Sequence, residues 1–211
     1  MKTEVLDVKG GKIHYQNILK GAEYLKNGEV VAIPTETVYG LAADAFNEKA
    51  IQRIFEVKGR PQDNPLLVHI CQLEQVYDIC RDISKEAEKV MAAFWPGSVT
   101  LIFKKQDCIS DTITAGMKTV GVRFPQSEIA RAIIQASGTL LVAPSANLSG
   151  KPSTTSAEHC YHDLNGKIPC ILDGGPSSIG LESTIIDMST PAPVLLRPGA
   201  VSLDAVRQVI P

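Results

Sequence analysis

The sequence lacks the features that mark secreted and membrane-spanning proteins. Its five cysteines are an odd number without a C-x-x-C pair, so they predict neither a disulfide framework nor a structural zinc site. The longest apolar runs, at 30–34 and 139–144, are far shorter than the roughly 20 residues that a membrane helix needs. Acidic residues also occur near the N-terminus, where a signal peptide would be apolar. We therefore expect a cytoplasmic protein.

The chain also lacks an excess of one charge and is poor in aromatic residues. Lys and Arg total 21, Asp and Glu total 23, and aromatic residues are 5%. This balance argues against a polybasic nucleic-acid coat or an acidic tail. Any site for an anion must therefore come from local clustering of cations. The length allows a substantial core, and no Ser/Gly/Pro-rich linker divides the chain. Residues 1–211 are thus expected to form a single domain.

Hydrophobic periodicity changes repeatedly between 3.6 and 2 residues, which predicts an α/β domain. The predicted helix starts are Asn47, Ser84, Ser127 and Ser202, all of residue types that cap helix N-termini. The predicted helices cover 18–25, 47–58, 84–94 and 127–134, with a short one after 202. The predicted strands cover 30–33, 66–70, 99–103, 120–124, 140–143, 170–172, 184–186 and 194–196.

Most of the residues with reactive or ligand-binding side chains lie in the loops that follow these strands. Ligands of open sheets favour the crevice at strand ends, which here corresponds to 34–37, 58–65, 118–123, 145–147 and 195–199. If these loops converge, their cations form a positively charged cleft that suits phosphate and carboxylate oxygens. The cations are Lys58, Arg60, Lys118, Arg123, Lys151 and Arg197.

Each candidate also has a structural interpretation. Lys58 can interact with a helix C-terminus, and His69 can be a core histidine within its strand. Ser145 and Asn147 are common in turns, and Tyr39 is more typical of packing than of catalysis.

The sequence offers no standard nucleotide or metal motif. The His159–His162 segment holds three candidate ligands on one turn, where they cannot easily point at one ion, so we interpret it as helix surface. No Walker, G-x-G-x-x-G or G-x-S-x-G pattern is present. The residues alone therefore predict an α/β enzyme that binds phosphate without a P-loop.

Several motifs in a fixed order resemble the threonylcarbamoyl-AMP synthase family, also called YrdC-like. The resemblance runs from about residue 15 to 205, and its K-x-R and S-x-N signatures are complete. The motifs are VAIPTETVYGL (31–41), KGRP (58–61), NPLLVH (64–69), WPGSVT (95–100), VGVRFP (120–125), APSANLSGKPS (143–153), ST (183–184) and LRPG (196–199).

The resemblance implies a twisted, open, mixed β-sheet flanked by helices, with a concave cationic cleft. It implies condensation of L-threonine, bicarbonate or CO2, and ATP to threonylcarbamoyl-AMP and pyrophosphate. A separate transferase complex would use this product to modify adenosine beside the anticodon of tRNA. Some members carry a second C-terminal domain, whereas we expect this chain to be the single-domain form. The resemblance allows weak direct binding of tRNA and implies no membrane partner.

The resemblance also implies roles for individual residues. The catalytic set is Lys58, Arg60, Ser145 and Asn147. ATP would contact Lys58, Arg60, Asn64, Thr119, Ser145, Ser153 and Arg197. L-Threonine would contact Thr35, His69, Arg123, Ala143 and Ser183, with Arg123 taking the carboxylate. Mg2+ is expected with the triphosphate, and no protein ligand for a metal is assigned.

Two alternatives remain open at this point. A related domain in hydrogenase-maturation carbamoyltransferases uses carbamoyl phosphate, although those proteins add modules for which this chain has neither length nor cysteine pattern. A non-enzymatic RNA-binding module is the other alternative, and the scarcity of aromatic residues among basic ones argues against it.

Overall fold

The computed structural model describes residues 2–210, except the side chains of residues 11–13. Within this part of the chain, eleven strands form one mixed sheet with helices on both faces. The strands are β1 Glu4–Asp7, β2 Val31–Ile33, β3 Gly40–Asp44, β4 Leu67–His69, β5 Cys80–Arg81, β6 Val99–Lys105, β7 Thr119–Arg123, β8 Leu141–Val142, β9 Cys170–Asp173, β10 Thr184–Asp187 and β11 Val194–Arg197. The helices are α1 Gly11–Lys26, α2 Glu48–Lys58, α3 Gln75–Ile79, α4 Lys85–Phe94, α5 Asp111–Thr114, α6 Glu128–Ser137, α7 Ala157–Leu164 and α8 Leu203–Arg207.

The strand order is β1-β9-β2-β3-β8-β4-β7-β6-β10-β11, with β5 paired to β6 beside this path. Parallel pairs such as β4 with β7 and β6 with β10 alternate with antiparallel pairs such as β6 with β7. The mixed, helix-flanked sheet that the sequence predicts is confirmed.

The sheet separates two apolar layers. Successive residues of a strand point to opposite faces, so Val31 and Ile33 of β2 pack on one side and Ala32 on the other. Helices α1 and α6 cover the first face, and α2 and α4 contribute to the larger core on the second. Among the described residues, no helix is long and apolar enough to cross a membrane.

Local capping signals fix several helix ends where the sequence predicts them. The side chain of Asn47 accepts hydrogen bonds from the backbone N–H of Lys49 and Ala50 at 3.1 and 3.2 Å. Ser127 caps α6 in the same way, and Gly59 ends α2 in the left-handed region at φ 60°. Asn47 and Ser127 thereby fix the starts of helices on opposite faces of the sheet.

Several elements are absent from the predictions made above. Strand β3 is the most consequential of them, because its run of Gly, Leu and Ala lacks the β-branched residues typical of strands. It forms because β2 and β8 pair with it from both sides, and Gly40 allows close approach. A Cβ at Gly40 would lie 3.1 Å from the Cβ of Ala143.

The His159–His162 segment lies on α7; His159 and His162 are exposed, as predicted, but Cys160 faces the core. Cys160 is buried and directs its thiol to the Thr154 hydroxyl, while the ring of His159 faces the Thr155 hydroxyl. The ring of His162 contacts Asp163. The three side chains therefore do not converge on one point.

Candidate functional site

One face of four neighbouring strands forms the floor of a cleft of about 560 Å³. The strands are β4, β7, β6 and β10, and their registers align side chains in two rows across the sheet. One row is Leu67, Gly121, Ile102 and Asp187. The other is His69, Arg123, Thr100 and Ile185. The residues between them, including Val68, Val122 and Leu101, point into the core, so the alternation in sequence builds core and cleft together.

Arg123, in the second row, belongs to a buried ion pair. Arg123 Nη2 donates to Glu36 Oε1 at 2.6 Å, and the side chains are only 5% and 6% exposed. Burial disfavours the Glu36 carboxylate, but the charge and hydrogen bond of Arg123 outweigh it and lower the pKa of Glu36. Glu36 also accepts from the backbone N–H of Ser127 at 3.1 Å. Glu36, which does not line the cleft, therefore holds Arg123 in place.

Arg123 retains an unused hydrogen-bond donor. Its Nε is buried and has no partner among the described residues, although buried donors are normally satisfied. Arg123 as a residue also lines the cleft, where an arginine fork suits a ligand carboxylate.

His69 lies beside Arg123 in the register of β4 and β7. Complete burial and the nearby guanidinium lower the pKa of His69 to about 3. Its Nδ1 lies 3.3 Å from the carbonyl oxygen of Leu67. The imidazole is thus neutral near pH 7 and can contribute a hydrogen bond without a charge.

A second arginine organises the wall formed by the loop before β10. Arg197 Nε and Nη2 donate to the carbonyl of Ser183 at 3.1 and 2.9 Å, and Nη1 contacts Glu182 at 3.0 Å. Ser183 Oγ shares a 2.8 Å hydrogen bond with the buried Thr100 hydroxyl. Ser153 donates to Glu182 at 2.7 Å. The Ser183 hydroxyl is therefore fixed from two sides.

A third arginine differs from the other two because no carboxylate pairs with it in the described part of the chain. Arg60 donates instead to the backbone carbonyls of Asn64 and Pro65, at 3.1 to 3.4 Å. Partial burial lowers the pKa of Arg60, but a guanidinium stays charged. The positive charge of Arg60 is therefore available to an anion.

Lys58 lies behind the cleft rather than in it. Its buried ammonium donates to the carbonyls of Ser145 and, at 2.6 Å, Asn147. Burial, reinforced by the charge of Arg60, lowers the pKa of Lys58 to about 8. Asn147 in turn donates to the carbonyls of Leu148 and Lys151. Lys58 and Asn147 thus shape the loop that presents Ser145.

Thr35 also acts on a loop. Its hydroxyl donates to the carbonyl of Val38 at 2.6 Å and contacts the hydroxyl of Thr37 at 3.0 Å. Thr37 and Val38 line the cleft, whereas Thr35 is buried beside them. Tyr39 is fully buried and donates to Gly175, as a packing residue would.

Most of the residues selected from the sequence meet at this cleft. Those that line it are Arg60, Asn64, His69, Thr119, Arg123, Ala143, Ser145, Ser183 and Arg197. Four others support lining segments from outside it, namely Thr35, Lys58, Asn147 and Ser153. Lys118 and Lys151 are not in the lining, and Lys151 pairs with Asp163 at 2.7 Å.

Sequence reasoning missed the acidic partners of the site, Glu36, Glu182 and Asp163. Glu36 and Glu182 each lie within or beside a recognised motif, which was the available signal. Asp163 lies on α7, outside every motif, and no pattern indicated it. Among the described residues, no group of three or more His, Cys, Asp or Glu side chains is arranged to hold a metal ion.

The fold and cleft define an α/β protein whose sheet face presents arginines and hydroxyls to an anionic ligand. A sequence model of the Sua5/YciO/YrdC family, described as "Telomere recombination", matches residues 23–199. The chain belongs to this family, which confirms the resemblance drawn from its motifs.

Named relatives cover nearly all of this chain. It is 49% identical over 199 residues to the threonylcarbamoyl-AMP synthase of Pyrococcus abyssi, covering 94% of this chain and 58% of the relative. It is 50% identical over 194 residues to that of Bacillus subtilis, covering 92% of this chain and 56% of the relative. The chain thus spans little more than half the length of these relatives.

A solved structure has the same fold. The crystal structure of P. abyssi Sua5 complexed with L-threonine superposes with a TM-score of 0.96 at 48% identity. The match covers 99% of this chain and 61% of that one. The agreement extends over all the strands that form the cleft floor.

Proposed function

We propose that this protein is a threonylcarbamoyl-AMP synthase that condenses L-threonine, bicarbonate or CO2, and ATP, and releases pyrophosphate. The main observation behind the proposal is one cleft that presents a buried arginine paired with a carboxylate, Arg123, and a separate arginine, Arg60, that pairs with no carboxylate in the described part of the chain. The names of the relatives and the threonine complex of a neighbour support the same assignment.

The threonine half of the site would surround Arg123. The guanidinium of Arg123, which lines the cleft, suits the amino-acid carboxylate, and the neutral His69 and the fixed Ser183 hydroxyl could bind the remaining polar groups. A pocket with such buried polar groups rejects an analogue that leaves them unpaired. The loop shaped by Thr35 and the backbone at Ala143 would complete this half.

The ATP half would extend toward the loops after α2 and β8. Arg60 would face the phosphates, with Asn64, Thr119, Ser145 and Arg197 as further contacts. Lys58, Asn147 and Ser153, assigned to ATP or catalysis by resemblance, would hold the contacting segments in place. Because Mg2+ binds chiefly through substrate phosphates and water, the triphosphate could hold it without a protein ligand cluster.

The chemistry requires no protein nucleophile. The amine of threonine takes up CO2 to form a carbamate, losing one proton to solvent. A carbamate oxygen then attacks the α-phosphorus of ATP, the new P–O bond forms, and the bond to pyrophosphate breaks. Positioning of the two reactants and stabilisation of phosphate charge would supply the catalysis.

The proposal extends to the use of the product. Threonylcarbamoyl-AMP is a mixed anhydride, so a separate transferase would pass its threonylcarbamoyl group to adenosine of tRNA. We place this reaction in the cytoplasm, where ATP and tRNA are available, and assign it to a single catalytic domain over residues 1–211. Any direct contact with tRNA would be weak.

Pyrophosphate release from ATP, with each substrate omitted in turn, tests this function. We expect release to require both L-threonine and bicarbonate. Equal turnover with carbamoyl phosphate, or turnover that ignores threonine, would instead favour a carbamoyltransferase. A folded protein that binds RNA without releasing pyrophosphate would favour the RNA-binding alternative.

Arg60→Ala tests the charge assignment within the same assay. Loss of a preorganised charge-stabilising donor should reduce turnover about 100-fold or more, while the protein stays folded by circular dichroism. If the variant unfolds, Arg60 is a structural residue and its assignment to the phosphates is wrong.

A further inference from the structure

Asp163 connects helix α7 to the loop after Ser145, which supports the proposed phosphate side of the cleft. It lies on α7, and its side chain is only 7% exposed. One carboxylate oxygen accepts from the backbone N–H of Leu148 at 3.2 Å. The other accepts from Lys151 Nζ at 2.7 Å. Asp163 therefore binds the loop after Ser145 at two points, Leu148 and Lys151.

Lys58 holds the same loop from the opposite side. Its ammonium donates to the carbonyls of Ser145 and Asn147, and its own carbonyl accepts from Ser149 N–H at 2.9 Å. The loop is thus fixed between a buried cation and a buried anion. Neither Lys58 nor Asp163 lines the cleft itself.

The charge of Lys58 depends on its surroundings, because its ammonium is buried. Arg60 disfavours the charge, and the carboxylates of Asp163 and Glu182 favour it, whereas burial raises the pKa of the Cys160 thiol to about 12 and keeps it neutral. Geometry links Asp163 to Lys58 directly: Lys58 donates to the carbonyl of Asn147, and Asp163 accepts from the N–H of Leu148, which are the two ends of one peptide group. Hydrogen bonds from Lys151, His162 and Leu148 outweigh its burial and lower the pKa of Asp163 to about 2, so its negative charge persists near neutral pH.

We propose that Asp163 is a positioning residue for the phosphate side of the site: it maintains the charge of Lys58 and places the Ser145 loop without touching the ligand. This inference rests on the proposed function for the identity of the ligand. The coupling between Asp163 and Lys58 does not rest on it, and can be measured in the protein without any substrate.

Titration of the lysine side chains by NMR, with carbon-13 at Cε, tests the coupling directly. Lys58→Met identifies the Lys58 signal. In Asp163→Asn, which keeps the shape but removes the charge, the pKa of Lys58 should fall below its wild-type value. The matched control is Asp82→Asn, which removes an exposed carboxylate paired with Lys104 at 3.0 Å, and it should leave Lys58 unchanged. An unmoved Lys58 in folded Asp163→Asn overturns the proposal.

ATP binding across pH gives the functional readout. At pH values above the pKa of Lys58, each unit by which that pKa falls reduces the protonated fraction of Lys58 up to tenfold. Asp163→Asn should therefore weaken ATP binding at pH 8 by at least about threefold, and less at pH 7. Unchanged ATP affinity at pH 8 overturns the positioning role. Failure of every variant and the wild type to bind ATP would instead refute the proposed function, and the NMR result would still decide the coupling.

A double-variant cycle covers the case in which Asp163→Asn does not fold. If the Asp163 carboxylate stabilises the charged form of Lys58, Asp163→Asn should reduce the free energy of unfolding much less in a Lys58→Met background. Chemical denaturation of the four proteins measures this difference. Equal loss in both backgrounds, or failure of the double variant to fold, would show that Asp163 is only a structural residue and overturn the proposal.

Discussion

The pair between Arg123 and Glu36 makes a strong prediction about stability and binding together. It is the only ion pair among the described residues in which both side chains are buried. Arg123→Met would leave the Glu36 carboxylate buried without its partner. Breaking a buried pair in this way costs about 3–5 kcal/mol, a large part of the roughly 5–15 kcal/mol that a domain possesses.

The companion variants separate the charge from the ligand contact. Glu36→Gln in the Arg123→Met background removes the stranded carboxylate, so the double variant should lose less stability than the two single losses combined. It should still fail to bind threonine, because the arginine fork is absent. Asp82→Asn breaks the exposed pair with Lys104 and should cost only about 0–1 kcal/mol.

Denaturant unfolding at pH 7 measures the stabilities, and calorimetric titration of threonine and ATP measures the binding. We expect Arg123→Met to abolish threonine binding and to change ATP affinity, measured without threonine, much less. If Arg123→Met costs no more stability than Asp82→Asn, the pair does not contribute as a buried pair should. If threonine affinity survives in Arg123→Met, the carboxylate site lies elsewhere.

Three further predictions follow from the geometry. The depressed pKa of His69 predicts that the free energy of unfolding falls as pH decreases below about 6.5, by up to about 1.4 kcal/mol per pH unit. The reason is that the imidazole takes up a proton in the unfolded chain but stays neutral when it is buried. His69→Gln should make the free energy of unfolding less dependent on pH between 6.5 and 4.5, and an unchanged slope contradicts this. Glu36, with its lowered pKa, contributes stability that is present above about pH 4.5 and is lost as pH falls through its folded pKa. Glu36→Gln should therefore lower the free energy of unfolding throughout the range above about pH 4.5 and flatten its pH dependence only below that range. Gly199→Ala places a Cβ within 2.4–2.5 Å of the backbone at residues 182–184 and should lower the free energy of unfolding by about 1–3 kcal/mol. Gly121→Ala should lower it less, because the nearest neighbour of its Cβ is a movable Leu67 methyl. Equal denaturation midpoints would show that the backbone around Gly199 moves freely.

Much of the fold follows from local signals that one sequence contains. Asn47 and Ser127 cap helices because a side-chain oxygen next to free N–H groups is favourable wherever the chain turns into a helix. Strand β3 shows the limit of such signals. Its Gly and Ala residues have little strand preference, and its conformation comes from pairing with β2, which directly precedes it in the chain, and with β8, which is distant in sequence.

The location of the cleft followed from the motifs, but the direction of each side chain did not. Lys58 shows the difference, since the resemblance assigns this cation to ATP, whereas its ammonium binds backbone carbonyls outside the cleft lining. Its position on α2 follows Ile51 by seven residues and Ile54 by four, which is the spacing of one helix face. That spacing already assigns its stem to the buried face, whereas the carbonyls that receive its ammonium come from a loop almost 90 residues later.

The arrangement of partners explains how a nearly neutral chain can hold two different anionic groups. Arg123 is balanced by Glu36 and Arg197 by Glu182, so the end of the cleft at the C-termini of β4 and β7 carries little net charge. Arg60 has no such balance in the described structure, and it contacts Asn64 and Pro65, which precede β4. Asp187 also lines the cleft, in the row of Leu67 and Gly121, so the positive charge of Arg60 is local to that arginine and does not extend over a whole end of the cleft. Under the proposed function, a zwitterionic amino acid suits the paired Arg123 and a phosphate suits the unpaired Arg60, which orients the two reactants before they meet.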